Sequence, residues 1–428
     1  MRRAFLGAIA QKQKSILFAL VYCCMLAILY KYDLIVHFGY TGLDWSPTIF
    51  HVSFSVLVVV LMAIMLPFKL ETRSIFLLIA CYMHFFPSMT FAAVSGREVH
   101  YILAVAFGGL LVFLFSFVPI KNIAVRPITW DMVLYISFAA CSLILLLIIL
   151  HTGVGNYNFD YYEIYYYRSD AKENLPAYIG YLRPLATKVF LPIFVILAFA
   201  RRNHIMQIIA VAFILLYFGY TNHKSVIAST IVAVAIFYTF RFFRSIEILP
   251  KLFLIILSAC MIQVFIVPLF IELREASFLT SMVVRRTLFV PALLDFYHIE
   301  YFRDFDFTYW SQSKISLGFI ARVYDINTPF LIGAEYFGRE TMAANTGFIG
   351  SGFSNAGYIG IAIYGVVIGL AISYLNSCGN RFGHALVTGV AFTQIIGAIT
   401  SSDLPSVFLT NGLIAMILFF FFFPRRSL

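Results

Sequence analysis

MVLYISFAACSLILLLIILH, residues 132–151, runs for twenty residues without one Asp, Glu, Lys or Arg. At ~1.5 Å per residue a helix of that length covers ~30 Å, the hydrocarbon thickness of a bilayer. Working outward from it, apolar runs recur at approximately 15–35, 50–68, 74–94, 101–119, 185–200, 205–221, 224–240, 252–271, 358–378, 385–402 and 406–423. The composition agrees: 62% hydrophobic, 12% charged, with 47 Phe and 26 Tyr, which lies outside the range of a soluble domain. The expectation is an all-α, polytopic integral membrane protein with about 12 transmembrane helices, one membrane domain over residues 1–428.

The N-terminal MRRAFLGAIAQKQK carries four cations, and its apolar continuation has no small-residue cleavage site, so it reads as a cytoplasmic start to an ordinary span. From that anchor, alternate loops hold Lys69 and Arg73, Lys121 and Arg126, Arg201 and Arg202, then Arg241, Arg244 and Lys251, Arg381, and finally Arg425 and Arg426. Of 30 Lys+Arg and 20 Asp+Glu, this side takes 16 and 3 and the opposite side 14 and 17. That asymmetry separates cytoplasm from exterior and places both termini inside. The net charge of +10 is therefore a topology signal, and no nucleic-acid partner is expected. All six cysteines fall in or at the ends of predicted spans, so no disulfide framework follows. No Cys-x-x-Cys, His-Glu-x-x-His or paired-His spacing offers a metal cage, and no cofactor is expected.

Two long outward segments, 152–184 and 272–357, are where chemistry would sit, since loops of that length are usually functional. The second holds an anomaly for outward loops, the adjacent cations Arg285 and Arg286 in VRRTLFVPALLDFYH. Two planar forks side by side suit a diphosphate, each taking oxygens bidentately, and would stabilise a departing pyrophosphate; lipid-headgroup contact is the alternative. Leu288, Ala292, Phe296, Ile299 and Phe302 recur at steps of three and four, the period of an amphipathic helix on the membrane surface. Arg285 falls on that apolar face provided the helix runs through Pro291; a kink there would break the register.

The first segment, GNYNFDYYEIYYYRSDAKENLPAYIGYLRP, contains Arg168 after a tyrosine run and then Arg183. Tyrosine and tryptophan faces stack on sugar CH surfaces, so Tyr161, Tyr162, Tyr165, Tyr166, Tyr167, Tyr297, Tyr309 and Trp310 are candidates to line a glycan groove; an interfacial aromatic belt is the bland alternative. Lys224, in a short outward turn, either snorkels or meets a lipid-linked phosphate. His298 has the chemistry of a general base near neutral pH, against a purely structural role. Asp304 and Asp306 form an Asp-x-Asp too short to specify a metal. The glycines of ANTGFIGSGFSNAGYIG lack the Gly-Lys-Ser/Thr ending of a phosphate-binding loop and read as a tight turn into the span at 358.

At RRTLFVPALLDFYHIEYFRDFDFTYWSQSK the chain resembles Wzy-type O-antigen polymerases, in which Arg-Arg, a following Pro, a Tyr-rich stretch and Tyr-Trp-Ser recur in this arrangement. YYEIYYYRSDAKENLPAYIGYLRPLATKVFLP looks like that family's first long periplasmic loop, and ANTGFIGSGFSNAGYIG like the exit from its second. The resemblance implies a GT-C-like glycosyltransferase of the bacterial inner membrane. It would join undecaprenyl-diphosphate-linked repeat units, donor and acceptor, on the periplasmic face without a metal. It implies Arg168, Arg285 and Arg286 as essential cations, and Arg322 with Gly333 meets the family's Arg-x10-Gly pattern, whereas Gly180 stands one residue late from Arg168. Arg183, Lys224 and Arg322 join the tyrosines as substrate-binding candidates. A chain-length regulator and a flippase are the implied protein partners, beside membrane lipid. An O-antigen ligase shares the donor and span plan, and a lipid-linked oligosaccharide flippase is the rival of a different class. A flippase should carry charges deep within its spans.

Overall fold

The computed structural model describes residues 2–120, 128–159, 176, 178–243, 245–270 and 278–422. Its secondary structure is helical throughout, with no strand among the described residues. Helices α1 (Arg2–Leu29), α2 (Ile49–Met65), α3 (Thr72–Ser95), α4 (Val99–Ser116) and α5 (Trp130–Thr152) are followed by α6 (Ile179–Ala200), α7 (His204–Thr221), α8 (Lys224–Phe242) and α9 (Ile248–Phe265). Local chemistry sets several ends. Thr48, Thr129 and Asn203 accept hydrogen bonds from backbone N–H groups in the first turns of α2, α5 and α7, while Gly96 and Asn222 close α3 and α7 in the left-handed region.

Eight helices among the described residues are long and apolar enough to cross a membrane, and three shorter apolar ones, Ile49–Met65, Val226–Phe242 and His384–Thr400, coincide with further expected spans. The chain is thus a polytopic, membrane-embedded helical protein. The last expected span, 406–423, differs. It is two short helices, α14 (Leu404–Leu409) and α15 (Leu413–Phe420), separated at Thr410–Gly412, where Gly412 adopts φ +84°. Hydropathy does not register such a break, because Thr, Asn and Gly interrupt an apolar run too briefly to lower its average.

The segment expected as a long outward loop is largely helical. Ser281–Phe289 is wound as a π-helix and continues without interruption into α10 (Val290–Asp304). The wider turn explains why Pro291 does not break it: a proline clashes with a carbonyl one α-turn back and lacks an N–H, and the π pattern relocates those bonds. Nor is α10 a surface helix. Asp295, Phe296, Tyr297, His298, Ile299, Tyr301 and Phe302 are all buried, because α10 packs on α3, on α11 (Thr328–Phe337) and on the long α12 (Phe348–Phe382). Its polar stripe meets protein, so the apolar period signalled a core face and not a bilayer face.

The glycine-rich exit is more than a turn. Phe348–Asn355 is a half-helix, the chain breaks at Ala356–Gly357, and the rest of α12 runs on to Phe382. Gly357 takes φ +60°, ψ −139°, a conformation open to glycine alone in practice. The half-helix folds back so closely that a Cβ on Gly360 would lie 1.9 Å from the carbonyl oxygen of Gly352. Helix α13 (His384–Thr400) completes the packing against α12 and α8.

Candidate functional site

The folded-back half-helix, α10, the 308–314 loop and the broken C-terminal helices line a partly open cavity of about 460 Å³. Hydroxyl and amide side chains are numerous on its walls, beside Pro329, Pro405 and Leu409. Ser351, Ser354 and Asn355 come from the half-helix, Thr308, Gln312 and Ser313 from the loop before α11, Ser401 and Ser402 from the turn after α13, and Thr410 and Asn411 from the break between α14 and α15. The titratable groups on it are His298, Asp403, Lys314 and Tyr181. In an otherwise apolar bundle this is a surface made to exchange many neutral hydrogen bonds.

Those walls are ordered by their own bonds. Thr308 and Tyr309 donate backbone N–H groups to the carbonyls of Ser354 and Asn355 at 2.9 and 3.0 Å, satisfying acceptors that the helix break would otherwise orphan. The loop reaches them with Tyr309 and Trp310 both at positive φ, 48° and 59°, a strained pairing outside glycine. Asn355 Oδ1 accepts from Thr308 Oγ1 (2.8 Å) and Trp310 N (2.9 Å). Trp310 Nε1 donates to the Tyr364 hydroxyl at 2.9 Å, and Tyr364 donates to Asp403 Oδ1 at 2.8 Å. Burial pushes the Asp403 carboxyl up to about 6, against the hydrogen bonds from Tyr364, Ser351 and the Leu404 backbone.

His298 is at the cavity wall, yet both ring nitrogens are engaged. Nε2 donates to Ala344 O at 3.1 Å and Nδ1 lies 2.8 Å from Ser354 Oγ. Burial pulls its pKa down to about 4, so the ring is neutral, and the single Ser354 hydroxyl proton lies between Nδ1 and Gly350 O, the latter 2.7 Å from the same Oγ. One turn earlier, Asp295 accepts from Thr346 and from Gly350 N (3.0 Å), with His84 Nε2 3.1 Å from its other oxygen. Through Thr346 and Gly350, the buried Asp295 fastens α10 to the start of the half-helix, and the buried His84 of α3 lies against it.

The arginine pair stands apart. Arg285 lays its guanidinium over Phe38, 4.0 Å from the ring centroid, and touches Ser281 Oγ at 3.3 Å. Burial and the Arg286 charge lower its pKa, with Tyr40 opposing. Arg286 is exposed, so adjacent positions on the helix face different surroundings. Neither lines the cavity, and the thirteen residues from Arg285 to His298 set them up to ~20 Å apart along the helix.

Among the other expected residues, Trp310 acts on the cavity through Tyr364. Tyr297 is buried away from it, stacked on Tyr336 with centroids 4.1 Å apart. Tyr309 and Arg322 are exposed outside its walls, and Arg183 is half-buried on the helix that contributes Tyr181. Asp304 pairs with Arg303 at 3.1 Å, and no group of three His, Cys, Asp or Glu side chains converges among the described residues. Arg168, Tyr167 and the tyrosines at 161, 162, 165 and 166 lie outside the described residues, as does the side chain of Lys224.

Sequence reasoning passed over Asp403, Tyr364, Asn355 and Asn411. One signal was present: Asp403, in SSDLPS between two apolar runs, is the only acidic residue after Glu340. Compared with protein families, with curated proteins and with solved structures, the chain matches none.

Proposed function

We propose that the chain is an O-antigen polymerase: a twelve-span, GT-C-like, inverting and metal-independent glycosyltransferase of the bacterial inner membrane. On the periplasmic face it joins undecaprenyl-diphosphate-linked repeat units. A hydroxyl on the terminal sugar of one lipid-linked unit attacks the anomeric carbon of a chain on the second lipid and expels undecaprenyl diphosphate. The observation that carries the reading is the cavity, about 460 Å³, whose lining sets many hydroxyl and amide groups among apolar ones within an apolar bundle. Such walls match the many neutral hydrogen bonds of a sugar. The arginine pair adds the second requirement, cations beyond the cavity, of which Arg285 is half-buried against Phe38.

In this reading the diphosphate is already a good leaving group, so the protein mainly aligns two lipids and neutralises charge. Arg285 and Arg286, standing off from the cavity, hold the diphosphate of the acceptor lipid, a repeat unit's length from its attacking terminal sugar; Arg168 assists from the first loop, and the cavity takes the reacting sugars. The charges on the cavity wall are few, which favours polymerase over flippase.

Lipopolysaccharide from a strain deleted for this chain tests the proposal. Core bearing a single repeat supports a polymerase. Bare core with polymer still on the carrier lipid would assign the chain to the ligases, and repeat units stranded on the cytoplasmic leaflet would make it a flippase. Arg285→Ala and Arg286→Ala, inserted normally, should each abolish the ladder; normal ladders from both would remove the pair from the mechanism.

A further inference from the structure

We propose that Asp403 is the catalytic base of the cavity, taking the proton from the sugar hydroxyl that attacks the anomeric carbon. This rests on the glycosyl-transfer reading and adds to it a group that the arginine pair cannot supply. Among the described residues, Asp403 is the carboxylate on the cavity wall. Its orientation is fixed from behind: Tyr364 receives hydrogen bonds from Trp310 Nε1 at 2.9 Å and Asn355 Nδ2 at 3.3 Å, which leaves its own proton for Asp403 Oδ1. A hydroxyl has one proton to give, so two received bonds determine where it points.

The remaining titratable groups around Asp403 serve less well. His298 has both nitrogens occupied. Lys314 donates to the Tyr181 hydroxyl and Lys188 to Asn411 at 2.8 Å, so both are engaged as donors. Burial that raises the carboxyl to about 6 leaves it ionised at neutral pH while making it a stronger base than an exposed aspartate.

The step balances without a metal or oxidant. As the acceptor oxygen bonds to the anomeric carbon, its proton passes to Asp403. The bond from that carbon to the diphosphate oxygen breaks, and both electrons leave with the diphosphate. Asp403 then returns the proton to water.

The test uses full-length protein in lipid nanodiscs with its undecaprenyl-diphosphate-linked repeat unit, following initial rates from about pH 4.5 to 8.5. The wild-type rate should fall roughly tenfold per unit below about pH 6. Asp403→Asn should lose on the order of 100-fold or more in rate with substrate binding retained. Tyr364→Phe removes the hydrogen bond that favours the ionised form, so its acid limb should move to higher pH, read from the shape of the profile and independent of any loss in plateau rate. A purely structural Asp403 would not move that limb. An active Asp403→Asn, or an unmoved limb in Tyr364→Phe, overturns the inference and leaves the polymerase reading intact; should Asp403→Asn not fold, the Tyr364→Phe profile decides. Wild-type protein that forms no polymer overturns the reading and this inference together.

Discussion

Burial acts on His298 and Asp403 in opposite senses, and stability should record both. His298 titrates near 4 when folded against 6.5 when free. The folded state thus refuses a proton that the unfolded chain binds, and its contribution, present above pH 6.5, is lost as pH falls toward 4. Asp403 is raised from 3.8 to about 6: it costs nothing below 3.8, and as pH rises from 3.8 through 6 the folded state's reluctance to ionise it lowers stability by up to about 3 kcal/mol, a loss complete above 6. Asp403→Asn should therefore raise Tm at neutral pH relative to wild type, an advantage that disappears below pH 4; an unchanged difference across that range would argue against a buried ionised carboxylate. At the arginine pair, Arg285→Lys keeps the charge but not the planar stack over Phe38. It should restore little of the polymer ladder lost in Arg285→Ala, since an ammonium neither stacks nor binds bidentately.

At the scale of elements, the site depends on two broken helices. The half-helix Phe348–Asn355 exists because Gly357 allows the reversal and Gly360 allows contact with Gly352. Gly360→Ala places a Cβ 1.9 Å from backbone oxygen and should cost about 2–4 kcal/mol, seen as lower Tm and lost activity. Gly180→Ala, with nothing within 4 Å of the added carbon, should keep activity and gain up to ~1 kcal/mol from helix propensity. The sequence marked the glycine cluster but not its fold-back, because the contact partner of Gly360 is eight residues away and only the reversal brings it near. Likewise the apolar period of α10 was visible, whereas its burial was not: a helix face reads the same whether lipid or protein covers it. Asn411 was hidden in an apolar run that hydropathy averages into one span.

For the whole molecule, the asymmetry of Lys and Arg predicts sidedness. Ile320→Cys, in the exposed loop before α11, should react with an impermeant maleimide from the outside, and Ser245→Cys, between α8 and α9, only after the membrane is opened. The reverse pattern would invert the topology and place the cavity beyond reach of a periplasmic substrate.

The membrane class, the helical secondary structure and most span positions were determined by the sequence itself, since each rests on the local length and polarity of a segment. The sequence also singled out the arginine pair, as cations unusual for an outward loop, and Trp310, as a candidate sugar-stacking face. Only the tertiary structure decided that Trp310 serves Asp403 through Tyr364, that both His298 nitrogens are occupied, and that the arginines stand off from the cavity. Those facts depend on distances between residues 39 to 56 positions apart in the chain, and no local pattern encodes such distances.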